Sequence, residues 1–268
     1  MSLTSCSRDK LNQSVIKEKS LDGQVLAAYT EGLDSLRGGD VLFAAKKFNE
    51  AEILFPQSEW APKSALMAAY SYYSQDYLED AIAELERFLR VYPLSKDRDY
   101  AIYLLANAHY EKIIDETKDL QSILLAKKNF NRVLKQFPQT EYALDSEFKL
   151  DLINDILASK EMYIGRYYFD QKKWIPAINR FRTVIDEYDT TIYVEEALHR
   201  LVEVYYTIGL INEAEKYAKI LGYNYKSSKW YEKSYTVFNK EYEKKRIKTE
   251  KKKKSFLSKA KSLFALDE

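Results

Sequence analysis

The stretch AIAELERFLRVYP, residues 81–93, contains the pattern that decides the fold. Ala81 is followed by Leu85 four residues later, by Phe88 three residues after that, and then by an aromatic residue and Pro93. Steps of four and three residues put side chains on one stripe of an α-helix. The helix must stop near Pro93, because proline has no N–H to donate and its ring clashes with the preceding turn. The stretch therefore predicts an amphipathic helix with a fixed end.

The same pattern occurs four more times along the chain. Three of the other copies are Ala44-Phe48-Ala51-Phe55-Pro56, Ala126-Phe130-Val133-Phe137-Pro138 and Ala177-Phe181-Val184-Tyr188-Asp189. The last copy, Ala214-Ala218-Leu221, is weaker and has only the apolar stripe. A helix with a fixed stop that repeats along a chain indicates a solenoid, in which each unit buries its apolar face against its neighbours. Solenoids typically bind other molecules, so the pattern favours a binding protein over an enzyme.

A small residue stands twelve positions before most of the repeat alanines, as expected where a first helix crosses the second closely. These positions hold Gly32, Ala69, Gly165 and Val202. The spacing resembles the tetratricopeptide repeat, although the opening Trp of that consensus is absent and the repeats are unevenly spaced. The fold class predicted is all-α: an α-solenoid of about five tetratricopeptide-like helix pairs with a basic helical tail. The predicted helices are 22–37, 41–54, 62–74, 77–91, 97–114, 123–136, 141–172, 175–188, 193–208 and 211–222, followed by a charged helical segment at 230–246.

The net charge of +1 conceals an uneven distribution along the 268 residues. Residues 240–268 hold 11 basic and 5 acidic side chains, a balance of +6, which leaves −5 for the rest. The tail ends in a short basic amphipathic pattern whose apolar face is Phe256, Leu257, Ala260, Leu263 and Phe264. That segment either lies on an anionic surface or caps the solenoid, and a solvated end is the plain alternative. The acidic body argues against nucleic acid as a partner.

The chain has a single cysteine, Cys6, which excludes an internal disulfide and a cysteine-based metal cluster. The preceding Leu3-Thr4-Ser5 resembles the lipobox of bacterial lipoproteins, in which the cysteine carries the lipid. Residues 1–20 would then be a tether, and Ser7 would permit sorting to the outer membrane. A disordered terminal thiol is the alternative. No run of apolar residues is long enough to span a membrane.

The sequence contains no motif of a reaction centre. The two histidines, His109 and His199, lie on predicted first helices between apolar residues, so packing positions are favoured over metal ligands. A zinc-protease motif, a nucleophile elbow and a Gly-rich phosphate loop are all missing. We therefore expect no enzymatic activity, no metal and no cofactor.

Short strings in the repeats resemble the BamD family of outer-membrane assembly lipoproteins. They are Leu36-Arg37-Gly38-Gly39-Asp40, Phe88-Leu89-Arg90-Val91-Tyr92-Pro93, Asp99-Tyr100-Ala101, Arg166-Tyr167-Tyr168-Phe169 and Ala177-Ile178-Asn179-Arg180-Phe181. The resemblance covers roughly residues 24–221, and the N-terminal Cys6 agrees with it. It implies a periplasmic scaffold of the β-barrel assembly machinery, anchored through Cys6 to the outer membrane. Its implied partners are the periplasmic domain of BamA, the C-terminal segments of unfolded β-barrel proteins, and other assembly lipoproteins.

The resemblance divides the chain into four parts: the tether at 1–20, substrate-side repeats at 21–140, BamA-side repeats at 141–225 and the basic tail at 226–268. In the first three repeats, residues beside the small position of each first helix are expected to face a concave groove rich in tyrosine. They are Tyr29, Leu33, Arg37, Tyr70, Tyr73, Tyr103, Asn107 and Tyr110. Arg37 or Lys63 would meet a terminal carboxylate there. The alternative is that several of these tyrosines pack between helices.

Arg166, Arg180 and Arg182 are candidates for binding acidic groups of BamA, with intramolecular salt bridges as the alternative. Two other function classes stay open at this point. One is a soluble tetratricopeptide adaptor, and the other is a pilotin-type outer-membrane lipoprotein of a secretion or pilus system.

Overall fold

The structure, a computed structural model, describes residues 20–113 and 120–239. Cys6 and residues 256–264 of the tail lie outside the described residues. Within those two ranges the chain forms eleven α-helices and no β-strand. The helices are α1 (Leu21–Arg37), α2 (Val41–Leu54), α3 (Trp60–Tyr73), α4 (Leu78–Val91), α5 (Arg98–Glu111), α6 (Leu120–Gln136), α7 (Glu141–Asp170), α8 (Trp174–Glu187), α9 (Val194–Thr207), α10 (Ile211–Asn224) and α11 (Lys229–Phe238).

These bounds confirm the predicted all-α solenoid of helix pairs. The stop signal also acts as predicted, because α4 ends at Val91, directly before the pair Tyr92-Pro93. α7 is a single helix of 30 residues, about 45 Å long at the usual rise per residue. No helix of the described residues is long and apolar enough to cross a membrane.

The chain divides into two compact units. The first unit comprises Met1–Lys112 and Lys135–Tyr142, and in it each of the helices α1 to α5 packs against the next. Its core holds the repeat side chains Phe48, Leu85 and Phe88, all fully buried. Each second helix thereby buries its apolar stripe against the first helices on either side, which is what stabilises a solenoid.

The second unit comprises Ile113–Leu134 and Ala143–Glu268. Its core includes Phe130, Phe181 and Val184 from the repeat pattern, and α9 packs against α8, α10 and α11. In the weak fifth copy Ala214 and Leu221 are buried, whereas Ala218 is only partly buried. The fifth stripe is therefore narrower than the other four.

One position recurs in the turn of four helix pairs. The residue five before the repeat alanine has a left-handed backbone, with φ of 85° at Gly39, 61° at Asp76, 57° at Lys172 and 84° at Gly209. A left-handed residue reverses the chain tightly enough for the second helix to pack on the first. In the first pair Asp40 then caps α2, accepting a hydrogen bond from the N–H of Phe43 at 3.1 Å.

Candidate partner-binding surfaces

A cavity of about 440 Å³ opens between the first helices of the first three repeats, α1, α3 and α5. We call it the Tyr-lined cavity. It is lined by Tyr29, Lys63, Leu66, Met67, Tyr70, Lys96, Asp97 and Tyr100. The structure thus brings together three of the predicted groove residues, namely Tyr29, Lys63 and Tyr70. Its size lies in the range of pockets that hold small ligands or single anchoring side chains.

The Tyr29 ring on the aromatic side of the Tyr-lined cavity packs against two other aromatic rings. The Tyr29 ring meets Phe48 and Trp60 edge-on, with centroid distances of 5.2 and 5.1 Å. Burial raises the pKa of Tyr29, and burial together with neighbouring tyrosines raises the pKa of Tyr100 to about 12. Both hydroxyls are therefore neutral at physiological pH, so this side offers apolar surface with uncharged hydrogen-bonding groups.

The charged groups of the Tyr-lined cavity are two lysines and one aspartate. The ammonium of Lys63 lies 5.1 Å from the centroid of the Trp60 ring, a cation–π contact that holds its side chain in place. Lys96 and Asp97 stand together before the first turn of α5. Neither lysine has an ion pair with another of the described residues, so both can meet an anionic group of a ligand.

Two of the predicted groove tyrosines contact other side chains of the first unit and do not line the cavity. The Tyr73 hydroxyl donates to Oε1 of Glu111 at 2.5 Å, and burial together with this hydrogen bond raises the pKa of Tyr73. The Tyr103 ring stacks on Tyr142, with centroids 5.0 Å apart. Neither side chain lines the cavity.

Three further predicted residues also lie away from the cavity lining. Asn107 is only 5% exposed, and its side-chain amide donates to the carbonyl of Tyr103 at 3.1 Å, so it belongs to the core. Arg37 is exposed and pairs with Asp34 at 3.4 Å in the last turn of α1. Tyr110 is half-buried near the end of α5.

Two lining residues, Lys96 and Tyr100, were not among those predicted from the sequence. A signal for Tyr100 was present in the third repeat, whose first helix has Ala106 at its small position. Tyr100 stands six residues before Ala106, as Lys63 stands six residues before Ala69. Position six before the small residue therefore also faces the cavity. Lys96 precedes its helix, so no helical period could have selected it.

In the second unit each candidate arginine has an acidic partner within the chain. Nη1 of Arg166 lies 2.9 and 3.0 Å from the two carboxylate oxygens of Glu196, and Nη1 of Arg180 lies 3.2 and 2.9 Å from those of Glu161. Arg182 approaches Asp186 at 3.8 Å. In the first two pairs a single guanidinium nitrogen makes both contacts, which leaves further donors of the fork for a second acidic group.

Arg180 also borders a shallow cavity of about 300 Å³ on the second unit. Its other lining residues are Tyr168, Ile175, Pro176, Asn179 and Thr183. The Ile175 side chain is 72% exposed. Aromatic residues and arginine are enriched at the centres of protein interfaces, and Tyr168 and Arg180 supply both on this cavity.

The two histidines are packing residues. Nδ1 of His199 lies 2.8 Å from the Ser234 hydroxyl, and its ring lies against Trp230. His109 is 4% exposed without a hydrogen-bond partner, and burial together with the nearby Lys112 lowers its pKa. Across residues 20–113 and 120–239, no group of three or more His, Cys, Asp or Glu side chains is arranged to hold a metal ion.

Comparison with known proteins shows the relationship. Residues 21–220 match the family model YfiO, described as outer membrane lipoprotein. A relative from Rickettsia prowazekii, outer membrane protein assembly factor BamD, is 43% identical over 213 residues, covering 80% of this chain and 85% of the relative. The protein of the same name from Caulobacter vibrioides is 40% identical over 211 residues, covering 79% and 69%.

Among solved structures, the crystal structure of MamA protein aligns with a TM-score of 0.38 and 18% identity, covering 74% of this chain and 90% of that chain. The sequence matches run through both units and include the strings that suggested the resemblance. These sequence matches favour an outer-membrane assembly lipoprotein over a soluble tetratricopeptide adaptor or a pilotin. The chain belongs to the YfiO family of outer membrane lipoproteins, whose curated relatives in Rickettsia and Caulobacter carry the name BamD.

Proposed function

We propose that this protein is a non-enzymatic scaffold of the β-barrel assembly machinery, which folds and inserts β-barrel proteins into the outer membrane. The observation that carries the proposal is the match to outer membrane assembly factors at 43% and 40% identity over most of the chain. Helix pairs with exposed grooves suit such a role, because they offer docking surface along their length.

Cys6 is the proposed point of attachment to the membrane, on the periplasmic face. The family description as outer membrane lipoproteins supports a lipid anchor, and Cys6 is the single cysteine of the chain. Two or more acyl chains on this residue would hold the protein stably at a bilayer. The native gene expressed in a Gram-negative host should give a mature chain that begins at an acylated Cys6. Cys6→Ser should move the protein from the membrane fraction to the soluble periplasm, and an unmodified thiol in the mature wild type would refute the anchor.

The Tyr-lined cavity is the proposed site for the C-terminal segment of an unfolded β-barrel protein. Such segments usually end in an aromatic residue with a free carboxylate. Tyr29, Tyr70 and Tyr100 offer aromatic surface for the terminal ring. Lys63 and Lys96 stand on the same cavity and can hold the carboxylate, a role for which Arg37 is less suited because it lies outside the lining.

Peptide binding tests the cavity. A fluorescent peptide that ends in phenylalanine should bind wild-type protein, and Tyr70→Ala with Tyr100→Ala should weaken binding at least tenfold. Tyr77→Ala is the matched control, because Tyr77 is similarly exposed on the same unit but outside the cavity. Unchanged affinity in the double variant would remove the cavity from the proposal.

The carboxylate contact has its own test. Wild-type protein should prefer the peptide acid to its C-terminal amide, and Lys63→Gln with Lys96→Gln should abolish that preference while leaving residual aromatic binding. An equal loss for acid and amide would mean that the lysines act through the fold.

The arginines of the second unit are the proposed contact with the periplasmic domain of BamA. Arg166 and Arg180 each keep guanidinium donors beyond their internal pairs, and Ile175 supplies exposed apolar surface beside Arg180. We place other assembly lipoproteins among the further partners, on the strength of the family alone.

A further inference from the structure

The first half of α7 exposes large apolar side chains. Leu144 is 75% exposed and Phe148 is 61% exposed, one helical turn apart. The opposite face of the same segment is buried through Leu150 and Ile153, so the helix is already packed on its other side. Two neighbouring large apolar groups in solvent on one well-packed helix mark a surface that another element covers.

A row of carboxylates runs beside these apolar groups. Glu147, Asp151 and Asp155 are spaced four residues apart, parallel to the row Leu144, Phe148 and Leu152. None of the three acids forms an ion pair with another of the described residues. Like charges four residues apart repel each other on a helix, so a cationic occupant would relieve a repulsion that the isolated helix retains. We call residues 144–155 the acidic stripe of α7.

The chain itself contains a segment of complementary chemistry. Residues 251–264 begin with four lysines and continue with apolar residues at helical spacing, which have further lysines on either side. The apolar positions are Phe256, Leu257, Ala260, Leu263 and Phe264, and the flanking cations are Lys259 and Lys261. An amphipathic helix that lays its apolar face along another helix, with lysines beside carboxylates, is a common mode of peptide recognition.

The linker between α11 and this C-terminal segment is long enough for the segment to reach the acidic stripe. α11 ends at Phe238 and packs on α9, where Glu196 holds Arg166 of α7. From Arg166 back to Phe148 is about 27 Å along the helix axis. The residues between Asn239 and Phe256 can span about 50 Å when extended, so the segment can reach the stripe from the end of α11.

We propose that residues 251–264 dock on the acidic stripe of α7 in the same chain. The apolar face of the segment covers Leu144, Phe148 and Leu152, and its lysines stand beside Glu147, Asp151 and Asp155. Because a short linker joins the segment to α11, its effective concentration at the stripe is in the millimolar range. A weak contact is therefore enough to keep the stripe covered. The proposal does not depend on the function of the Tyr-lined cavity.

Photo-crosslinking on the full chain tests the contact. A benzophenone amino acid at Leu263 is activated in an equal mixture of ¹⁴N and ¹⁵N protein, and the crosslinked peptides are mapped by mass spectrometry. The expected product joins the tail to the acidic stripe, residues 144–155, with a single isotope in both peptides. Products that mix isotopes would overturn the proposal in favour of a second copy. When phosphatidylglycerol vesicles are added, products that join the tail only to lipid would overturn the proposal in favour of a membrane surface. Products scattered over the chain would overturn the proposal outright.

Charge reversal tests the specificity of that product. Glu147→Lys, Asp151→Lys and Asp155→Lys together should lower its yield at least fivefold. Adding Lys252→Glu, Lys253→Glu, Lys259→Glu and Lys261→Glu to the same protein should restore it. The matched control reverses three exposed acids elsewhere on the second unit, Asp170, Glu187 and Asp189, and should leave the yield unchanged. An equal loss in the control would show that only net charge matters and would defeat the proposal.

Discussion

Gly165 lies against the ring of Phe181 without room for a side chain: a β-carbon added to Gly165 would sit 2.6 Å from Cε1 of Phe181. Gly32 has the same relationship with Phe48 in the first repeat, at 2.9 Å. Both aromatic rings are fully buried in the second helix of their pair, so they cannot swing into solvent. The small residue of the first helix and the aromatic residue of the second are thus one packing unit, and it sets how closely the two helices approach.

Gly165→Ala should therefore destabilise the second unit although alanine is the better helix former. Overpacking of a closed core typically costs about 1–3 kcal/mol, which outweighs the helix-propensity gain of about 1 kcal/mol. Urea unfolding followed by circular dichroism measures the change. Gly38→Ala is the control, because its added carbon would have nothing nearer than 3.4 Å and its φ is −76°. A Gly165→Ala protein as stable as wild type would show that the two helices can separate at little cost.

The left-handed turn residues lead to a second prediction. Lys172 and Asp76 hold a backbone conformation that suits glycine, whereas Gly39 and Gly209 fill the equivalent position in two other pairs. Lys172→Gly should raise stability by about 1 kcal/mol, because it removes the clash between Cβ and the backbone. Asp76→Gly should gain less, since aspartate tolerates this conformation better than lysine does. Thermal unfolding of both variants checks the order, and a loss of stability in Lys172→Gly would contradict the strain argument.

A buried carboxylate joins α2 to α4 in the first unit and leads to a third prediction. Glu52 accepts hydrogen bonds from Nη1 and Nη2 of Arg87 at 2.9 and 2.6 Å, and from the Tyr92 hydroxyl at 2.6 Å. Burial alone would raise the pKa of Glu52, but the bonds from Arg87 and Tyr92 outweigh it, so the pKa lies below its usual value. Arg87→Ala should cost about 3 kcal/mol, because it leaves a buried charge without its partner.

The pH dependence of this network has a definite sign. A carboxylate whose pKa is lower in the folded protein stabilises the fold above its unfolded pKa, and that stability is lost as the pH falls through the folded value. The stability difference between wild type and Glu52→Gln should thus be largest near neutral pH and should shrink below about pH 4.5. Glu79→Gln is the control, since Glu79 pairs with Lys112 at the surface and should show a much smaller effect. A difference that stays constant from pH 7 to 3 would exclude the network as its source.

Features that depend on residue spacing and end signals within one helix were predictable from the sequence. Features that depend on packing between repeats were not. α2 begins and ends at the residues predicted, because Asp40 caps it and Phe55-Pro56 stops it, and both signals lie within the helix's own neighbourhood. The partner of Arg180 was not predictable, because Glu161 lies nineteen residues away on the preceding helix.

The cavity shows the same limit. The spacing along the first helices predicted Tyr29 and Tyr70, which line the cavity. It also predicted Asn107, which is buried and whose side-chain amide donates to the carbonyl of Tyr103 on the same helix. Lys96 lines the cavity from a loop, where no period applies. Which residues of three successive helices meet depends on the rotation from one repeat to the next, and that rotation results from the packing of the helix pairs on one another.

The Arg180–Glu161 pair allows the internal and external roles of the arginine to be separated. Arg180 is 42% exposed and Glu161 is 17% exposed, so the pair itself contributes at most about 1 kcal/mol to stability. Arg180→Glu alone would place two carboxylates side by side and would disturb the fold locally. The double variant Arg180→Glu with Glu161→Arg restores an ion pair with the charges exchanged, and it should unfold within about 1 kcal/mol of wild type.

Calorimetry of the swapped protein with the periplasmic domain of BamA then tests whether Arg180 also has a role in binding. If Arg180 contacts an acidic group of that domain through its remaining donors, the swap should weaken binding at least tenfold despite an intact fold, because a charge at the interface has changed sign. Lys219→Glu with Glu215→Lys is the matched control, because this exposed pair on α10 of the second unit lies outside the proposed contact. Its ions are 3.5 Å apart, and the swap should leave binding unchanged. Wild-type affinity in the Arg180–Glu161 swap would assign Arg180 to the internal pair alone.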